Sequence, residues 1–293
     1  MTALADVGIR PRSGTPAASF NEREMQICTV ARMTEAGKTY WVAGGGSPMY
    51  AVLLGQKLYA PSAQYITEDG VIAPEPMLPF EPVMTMVSSR AGYRALAWGT
   101  MNTAGNHAQI GMMDYGILNT LQVDQYGNIN STAIGEYGAG ARRFGGPGGA
   151  DTIAAQCWRT ILMTDQEQRK FVSRVDFISS PGFLDGTEGA RERAGLPAGT
   201  GPYMVVTPWA VYDYQDRRLR LVARAPWVTV DDILAECEHK PLVAADVAVL
   251  EGPTEEELDI LRTQLDPRGQ NTAERSAWIV YDAGAGTYTR TDG

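Results

Sequence analysis

The feature that most constrains the fold lies between residues 39 and 58. A short β-rich run, Thr39 to Ala43 (TYWVA), passes directly into Gly44, Gly45, Gly46 and Ser47. An apolar segment from Pro48 to Leu58 follows, with proline in its first turn, where the missing N–H costs nothing. Strand, glycine-rich turn and helix make half of a parallel βαβ unit, which needs a sheet covered by helices.

The rest of the chain repeats the alternation. Residues 21 to 37 predict a helix, with Asn21 as N-cap, Glu24 three residues on, and Gly37 as the stop. Gln64 to Thr67 reads as a strand, and four prolines between Pro74 and Pro82 make the next stretch irregular. Elements are expected over Ala108 to Met113 and Gly116 to Gln122, with a hairpin turn at Gln125 to Asn130. Trp158 to Thr164 and Phe171 to Ser179 are strand candidates, as are Pro202 to Val206, Ala210 to Tyr214 and Leu219 to Ala225, with a hairpin at Gln215 to Arg218. Val230 to Glu236 and Thr254 to Gln264 read as helices, the second opened by a Thr254–Glu257 capping box. The expected fold is α/β with a mostly parallel sheet. Residues 1–20 read as a flexible lead-in, 21–269 as one domain, and 270–293 as a tail or an arm with an apolar island at Trp278 to Tyr281.

Composition narrows the chemistry. The 293 residues carry a net charge of −9 without a Lys/Arg block, which argues against nucleic acid as partner. Apolar runs break well before the ~18 residues a membrane span needs. Three scattered cysteines, Cys28, Cys157 and Cys237, include no CxxC pair and suit a reducing, cytoplasmic compartment. Two histidines, His107 and His239, argue against a zinc centre and a Ser-His-Asp triad, so no metal is expected. A carboxylate, a thiol or a backbone site is left to do the chemistry.

Four constellations stand out. Gly44–Ser47 offers backbone N–H groups to an anion, or simply packs a helix on a sheet. Thr67-Glu68-Asp69-Gly70 closes a predicted strand, where ligands gather in open parallel sheets, but two adjacent acids also suit a solvated turn. Gly145 to Asp151, after Arg142 and Arg143, forms an anion-binding loop or a surface loop. Asp124, Tyr126, Gly127 and Asn128 favour a side-chain-stabilised turn.

The order of these segments, with QVDQYGNINSTAIGEY, RRFGGPGGADTIA, SPGFLDGTEGARERAGLPAGTGP and LDPRG, resembles the family I CoA-transferases, of the glutaconate CoA-transferase B-subunit type. The resemblance runs from about Asn21 to Gly269. It implies a three-layer α/β/α fold and an active site shared with an A subunit in a hetero-oligomer. Its catalytic glutamate falls on Glu68, although Thr67 and Asp69 depart from the family's neighbours. Its Gly-Gly-Ala-Asn segment falls on Gly148, Gly149 and Ala150, with Asp151 in place of Asn. It implies no bound cofactor, with a coenzyme A thioester as substrate. The implied reaction moves CoA to a carboxylic acid, such as the dicarboxylate glutaconate, by ping-pong chemistry through a glutamyl-CoA thioester. Gly44, Gly45 and Gly46 join Gly148 and Gly149 as expected donors around the CoA and acyl groups. Same-scaffold hydrolases or lyases of steroid-derived CoA thioesters, and decarboxylases of methylglutaconyl-CoA, are the alternative. Those relatives lack the glutamate, so Glu68 favours transfer.

Overall fold

The computed structural model describes residues 3–42, 46–80, 89–138, 140–270, 272 and 276–291. One sheet of ten strands organises the chain. They are β1 Thr39–Val42, β2 Gln64–Thr67, β3 Val71–Ile72, β4 Ala97–Trp98, β5 Tyr115–Leu118, β6 Arg159–Met163, β7 Pro202–Val206, β8 Ala210–Gln215, β9 Arg218–Arg224 and β10 Leu242–Val249. Across the sheet they lie in the order β10-β9-β8-β7-β6-β5-β1-β2-β3-β4. The central strands β7, β6, β5, β1 and β2 are parallel, as are β9 and β10. The β7–β8, β8–β9, β2–β3 and β3–β4 pairs are antiparallel, so the sheet is mixed around a parallel centre.

Helices α1 Glu22–Ala31, α2 Ser47–Leu58, α3 Met101–Gln109, α4 Ala150–Gln156, α5 Ala190–Arg193, α6 Val230–Ala235 and α7 Glu255–Ile260 complete the chain. Strand residues alternate between two cores, as the two-residue period requires. Tyr40, Val42, Tyr65 and Ile117 pack with α1, α2 and α7 on one face. Trp41, Ile66 and Leu118 pack with α3, α4 and Ile233 of α6 on the other. This is the expected α/β/α layering. Glycines set the layer spacing at two places. A Cβ on Gly55 of α2 would lie 2.7 Å from the Ala31 carbonyl of α1, and one on Gly116 of β5 would lie 2.1 Å from Ile153 Cγ2 of α4.

Several expectations shift. Helix α1 starts at the Asn21–Glu24 capping box but ends at Ala31 rather than near Gly37. Arg32 leaves the helix to form a buried ion pair, donating from Nε and Nη2 to Glu257 at 2.8 and 2.6 Å. Phe171 to Ser179 is not a strand. It touches neighbouring backbone at isolated bridges, and the Ser173 and Asp176 N–H groups bond instead to Glu238 and Gln122 side chains. The first residues are packed, with Ile9 and Phe20 buried. Trp278–Asp282 and Thr287–Thr291 form a hairpin whose inner strand pairs with Ser19–Asn21. No helix among the described residues is long and apolar enough to cross a membrane.

Candidate active site

Strand β2 delivers Glu68 to the carboxyl edge of the parallel strands, beside the end of β1 through the Val42–Thr67 pairing. A tight turn follows. The Gly70 N–H donates to the Thr67 carbonyl at 3.0 Å, and the Val71 N–H donates to Thr67 Oγ1 at 3.0 Å. The Thr67 hydroxyl in turn donates to Asp69 Oδ1. Asp69 therefore braces the turn, leaving Glu68 as its free acid. Gly70 adopts φ +89°, and a Cβ there would lie 1.9 Å from the Thr100 carbonyl oxygen. Only glycine satisfies both conditions.

Continuing the alternation of β2 puts Glu68 on the face of Ile66, toward α4. The loop before α4 meets it there: a Cβ on Gly148 would be 3.6 Å from Glu68 Oε1. The same construction on Gly149 reaches the Trp41 ring at 3.8 Å. Glu68 is partly exposed, and its carboxylate has no hydrogen bond or ion pair among the described residues. The Gly148 and Gly149 N–H groups likewise have no protein acceptor among the described residues. The loop is held from behind by the Phe144 and Gly146 N–H groups, which donate to the Thr132 and Ser131 carbonyls at 2.9 and 3.0 Å. A carboxylate with free oxygens thus faces a glycine backbone with free donors.

The structure brings Glu68, Gly148 and Gly149 together. Ala150 is buried beneath them as the first residue of α4. Gly46 caps α2 at the same sheet edge, with φ +72° and no hydrogen bond to Glu68. Gly44 and Gly45 lie outside the described residues. Asp124 forms the expected turn, accepting from the Tyr126 and Asn128 N–H groups at 2.9 and 3.1 Å. All three cysteines are buried, and burial pushes each thiol up, Cys237 to about 11. Such thiols are poor nucleophiles at neutral pH. Trp41 escapes sequence reasoning. It reaches the site only because β1 pairs in register with β2, and its buried Nε1 has no partner among the described residues.

The fold is thus a mixed-sheet α/β/α sandwich with a glutamate, unpaired among the described residues, at its parallel edge opposite a glycine loop. The chain belongs to the coenzyme A transferase family, whose model matches residues 84–236. It is 31% identical over 256 residues to the glutaconate CoA-transferase B subunit of Acidaminococcus fermentans, covering 85% of this chain and 94% of that one. It is 30% identical over 251 residues to the 3-oxoadipate CoA-transferase B subunit of Pseudomonas knackmussii, covering 84% and 93%. The crystal structure of glutaconate coenzyme A-transferase from A. fermentans superimposes with a TM-score of 0.76 at 28% identity, over 85% of this chain and 96% of that one.

Proposed function

We propose that this chain is the B subunit of a CoA-transferase, with Glu68 as the covalent carrier of CoA and an A subunit completing the site. The observation that carries the reading is the unpaired, partly exposed Glu68 carboxylate against the Gly148 backbone. A Glu68 oxygen attacks the thioester carbonyl of the donor and expels CoA as thiolate, leaving a mixed anhydride. The thiolate then attacks the glutamyl carbonyl of that anhydride. This releases the donor acid as its carboxylate and leaves a glutamyl-CoA thioester. An acceptor carboxylate reverses both steps, forming a new acyl-CoA and restoring Glu68.

Each tetrahedral intermediate puts negative charge on a carbonyl oxygen. The Gly148 and Gly149 N–H groups are candidate donors to it, each worth about 3 kcal/mol by analogy with other acyl-transfer sites. CoA thioester is the substrate, and the scheme uses no resident cofactor. Glutaconate and 3-oxoadipate are both dicarboxylates, which supports a dicarboxylate acceptor here.

Two points support the partner. Both relatives are named as B subunits. Beside the Glu68 turn, the sheet ends in an exposed apolar edge of Tyr93, Leu96, Trp98 and Met101. That edge is tied to the turn by the Gly99 N–H, which donates to the Gly70 carbonyl at 3.1 Å. A partner docked there shields the thioester from water.

Glu68→Gln in the complex with its A subunit should lower turnover at least about 10³-fold with the fold intact. Glu68→Asp, with the carboxylate withdrawn by one methylene, should also be strongly impaired. Near wild-type turnover by Glu68→Gln excludes Glu68 as carrier. Consumption of acyl-CoA by hydrolysis alone in the wild-type complex indicates the hydrolase reading.

A further inference from the structure

Two long stretches that carry the family resemblance, residues 122–132 and 180–202, place no side chain at Glu68; of the first, only the Ser131 and Thr132 carbonyls hold the loop opposite it. They meet behind α4, and Arg191 is at the centre of that meeting. Its side chain is buried, yet among the described residues no carboxylate pairs with it. Nη1 donates to the Pro181 and Gly182 carbonyls at 3.1 and 2.8 Å. Nη2 donates to the Ala154 and Ala155 carbonyls at 3.1 and 3.3 Å, and to Thr200 Oγ1 at 2.9 Å. Ala154 and Ala155 are in the last turn of α4, where unpaired carbonyls gather and a cation is favoured.

The surrounding sequence is built for this contact. A Cβ on Gly201 would lie 3.2 Å from Arg191 Nε, so glycine opens the slot that the guanidinium fills. A Cβ on Gly182 would lie 2.2 Å from the Gly127 backbone, so glycine lets this loop rest on the 124–128 turn. Asn128 Oδ1 locks it there, accepting from the Gly182 and Leu184 N–H groups at 2.9 and 3.1 Å. One signature stretch thus holds the loop, and Arg191 ties the loop to the end of α4.

We propose that Arg191 is a positioning residue that sets the Gly148–Gly149 loop against Glu68 by clamping the far end of α4. The inference rests on the reading of Glu68 as carrier. Helix α4 has seven residues, a rod about 10 Å long. Ile153 seats it in the space left by Gly116, which acts as a fulcrum. Its N-terminal end has no side-chain cap. The Phe144 and Gly146 bonds hold the loop from behind, and fixing the C-terminal carbonyls sets the direction in which α4 carries Gly148 and Gly149. Burial lowers the Arg191 pKa to about 10, with Glu192 opposing it in part, so the clamp stays charged at neutral pH. An interior charge held by carbonyl dipoles and one hydroxyl is costly, and an apolar side chain would fill the space more cheaply if packing were its only role.

The test uses the complex with the A subunit, and whichever of glutaryl-, succinyl- and acetyl-CoA the wild type turns over fastest. Arg191→Ala should lower kcat about 100-fold, the scale of a misplacement near 1 Å, with KM for acyl-CoA within about threefold. Guanidinium chloride at tens of millimolar should restore part of that kcat. Arg191→Lys keeps the charge with fewer donors and should fall between the wild type and Arg191→Ala. Arg193→Ala, altering an exposed arginine in the same helix, should leave turnover unchanged. Wild-type kcat in a folded Arg191→Ala or Arg191→Lys complex overturns the proposal. So does a loss explained by the folded fraction, or failure of both variants to assemble, since either marks a purely structural role. Glu68→Gln run in parallel separates the two claims. If it is active, the carrier reading falls. If it is inactive beside fully active Arg191 variants, only the clamp falls.

Discussion

Glu68 is available because its neighbours are occupied. Thr67 and Asp69 bond to each other and to the turn, and Gly70 takes the backbone geometry that turns the chain away. Gly70→Ala forces a Cβ into the Thr100 carbonyl at a positive φ, and should destabilise the protein by about 2 kcal/mol or more in urea unfolding. An unchanged midpoint would show that the turn yields easily. The thiols give a second check on single residues. With Cys28, Cys157 and Cys237 buried and their thiols pushed up by burial, iodoacetamide at neutral pH should leave the native complex active and unlabelled. Rapid labelling with loss of turnover would implicate a thiol. The strand-end position of Glu68 before glycine was legible in the sequence, but its assigned role rests on the family resemblance. Trp41 and Arg191 were not, because each joins the site through contacts distant in sequence.

Among the elements, starts were easier to read than ends. Asn21 with Glu24 and Thr254 with Glu257 form the capping boxes that their three-residue spacing predicts. The end of α1 depends on Arg32 meeting Glu257, 225 residues away, and local sequence holds no trace of that partner. Both side chains are buried, and Tyr59 also donates to Glu257 at 2.7 Å. Glu257→Ala strands the arginine charge and should cost about 3–5 kcal/mol by chemical denaturation. A loss below about 1 kcal/mol, the range of an exposed pair, would mean that water reaches this one. The stretch from Phe171 to Ser179 has strand-like composition but bonds through side chains of other loops, a choice that tertiary structure makes.

Across the whole molecule, alternating strands and helices predict an α/β fold, and the family resemblance implies its three layers. The Gln215–Arg218 turn marks the antiparallel β8–β9 hairpin, whereas the β7–β8 and β2–β3 pairings depend on connections rather than on strand composition. Stability should also depend on pH through His239. Its ring is buried, Nδ1 bonds to the Val172 carbonyl at 3.1 Å, and Nε2 has no partner among the described residues. Burial lowers its pKa, and the Val172 bond opposes this only in part. The unfolded chain therefore binds a proton below about pH 6.5 that the native state resists, so this contribution is full above that pH and is lost on acidification. His239→Gln should flatten the melting temperature between about pH 7 and 5, the window of that titration, and an unchanged slope would assign it to other groups. The covalent role of Glu68 is tested most directly by mass spectrometry of the two-subunit complex after incubation with acyl-CoA and borohydride, which reduces a glutamyl thioester. A covalent carrier gives a mass change confined to the peptide holding Glu68, absent from Glu68→Gln. An unmodified Glu68 in a complex that still consumes acyl-CoA would contradict that role.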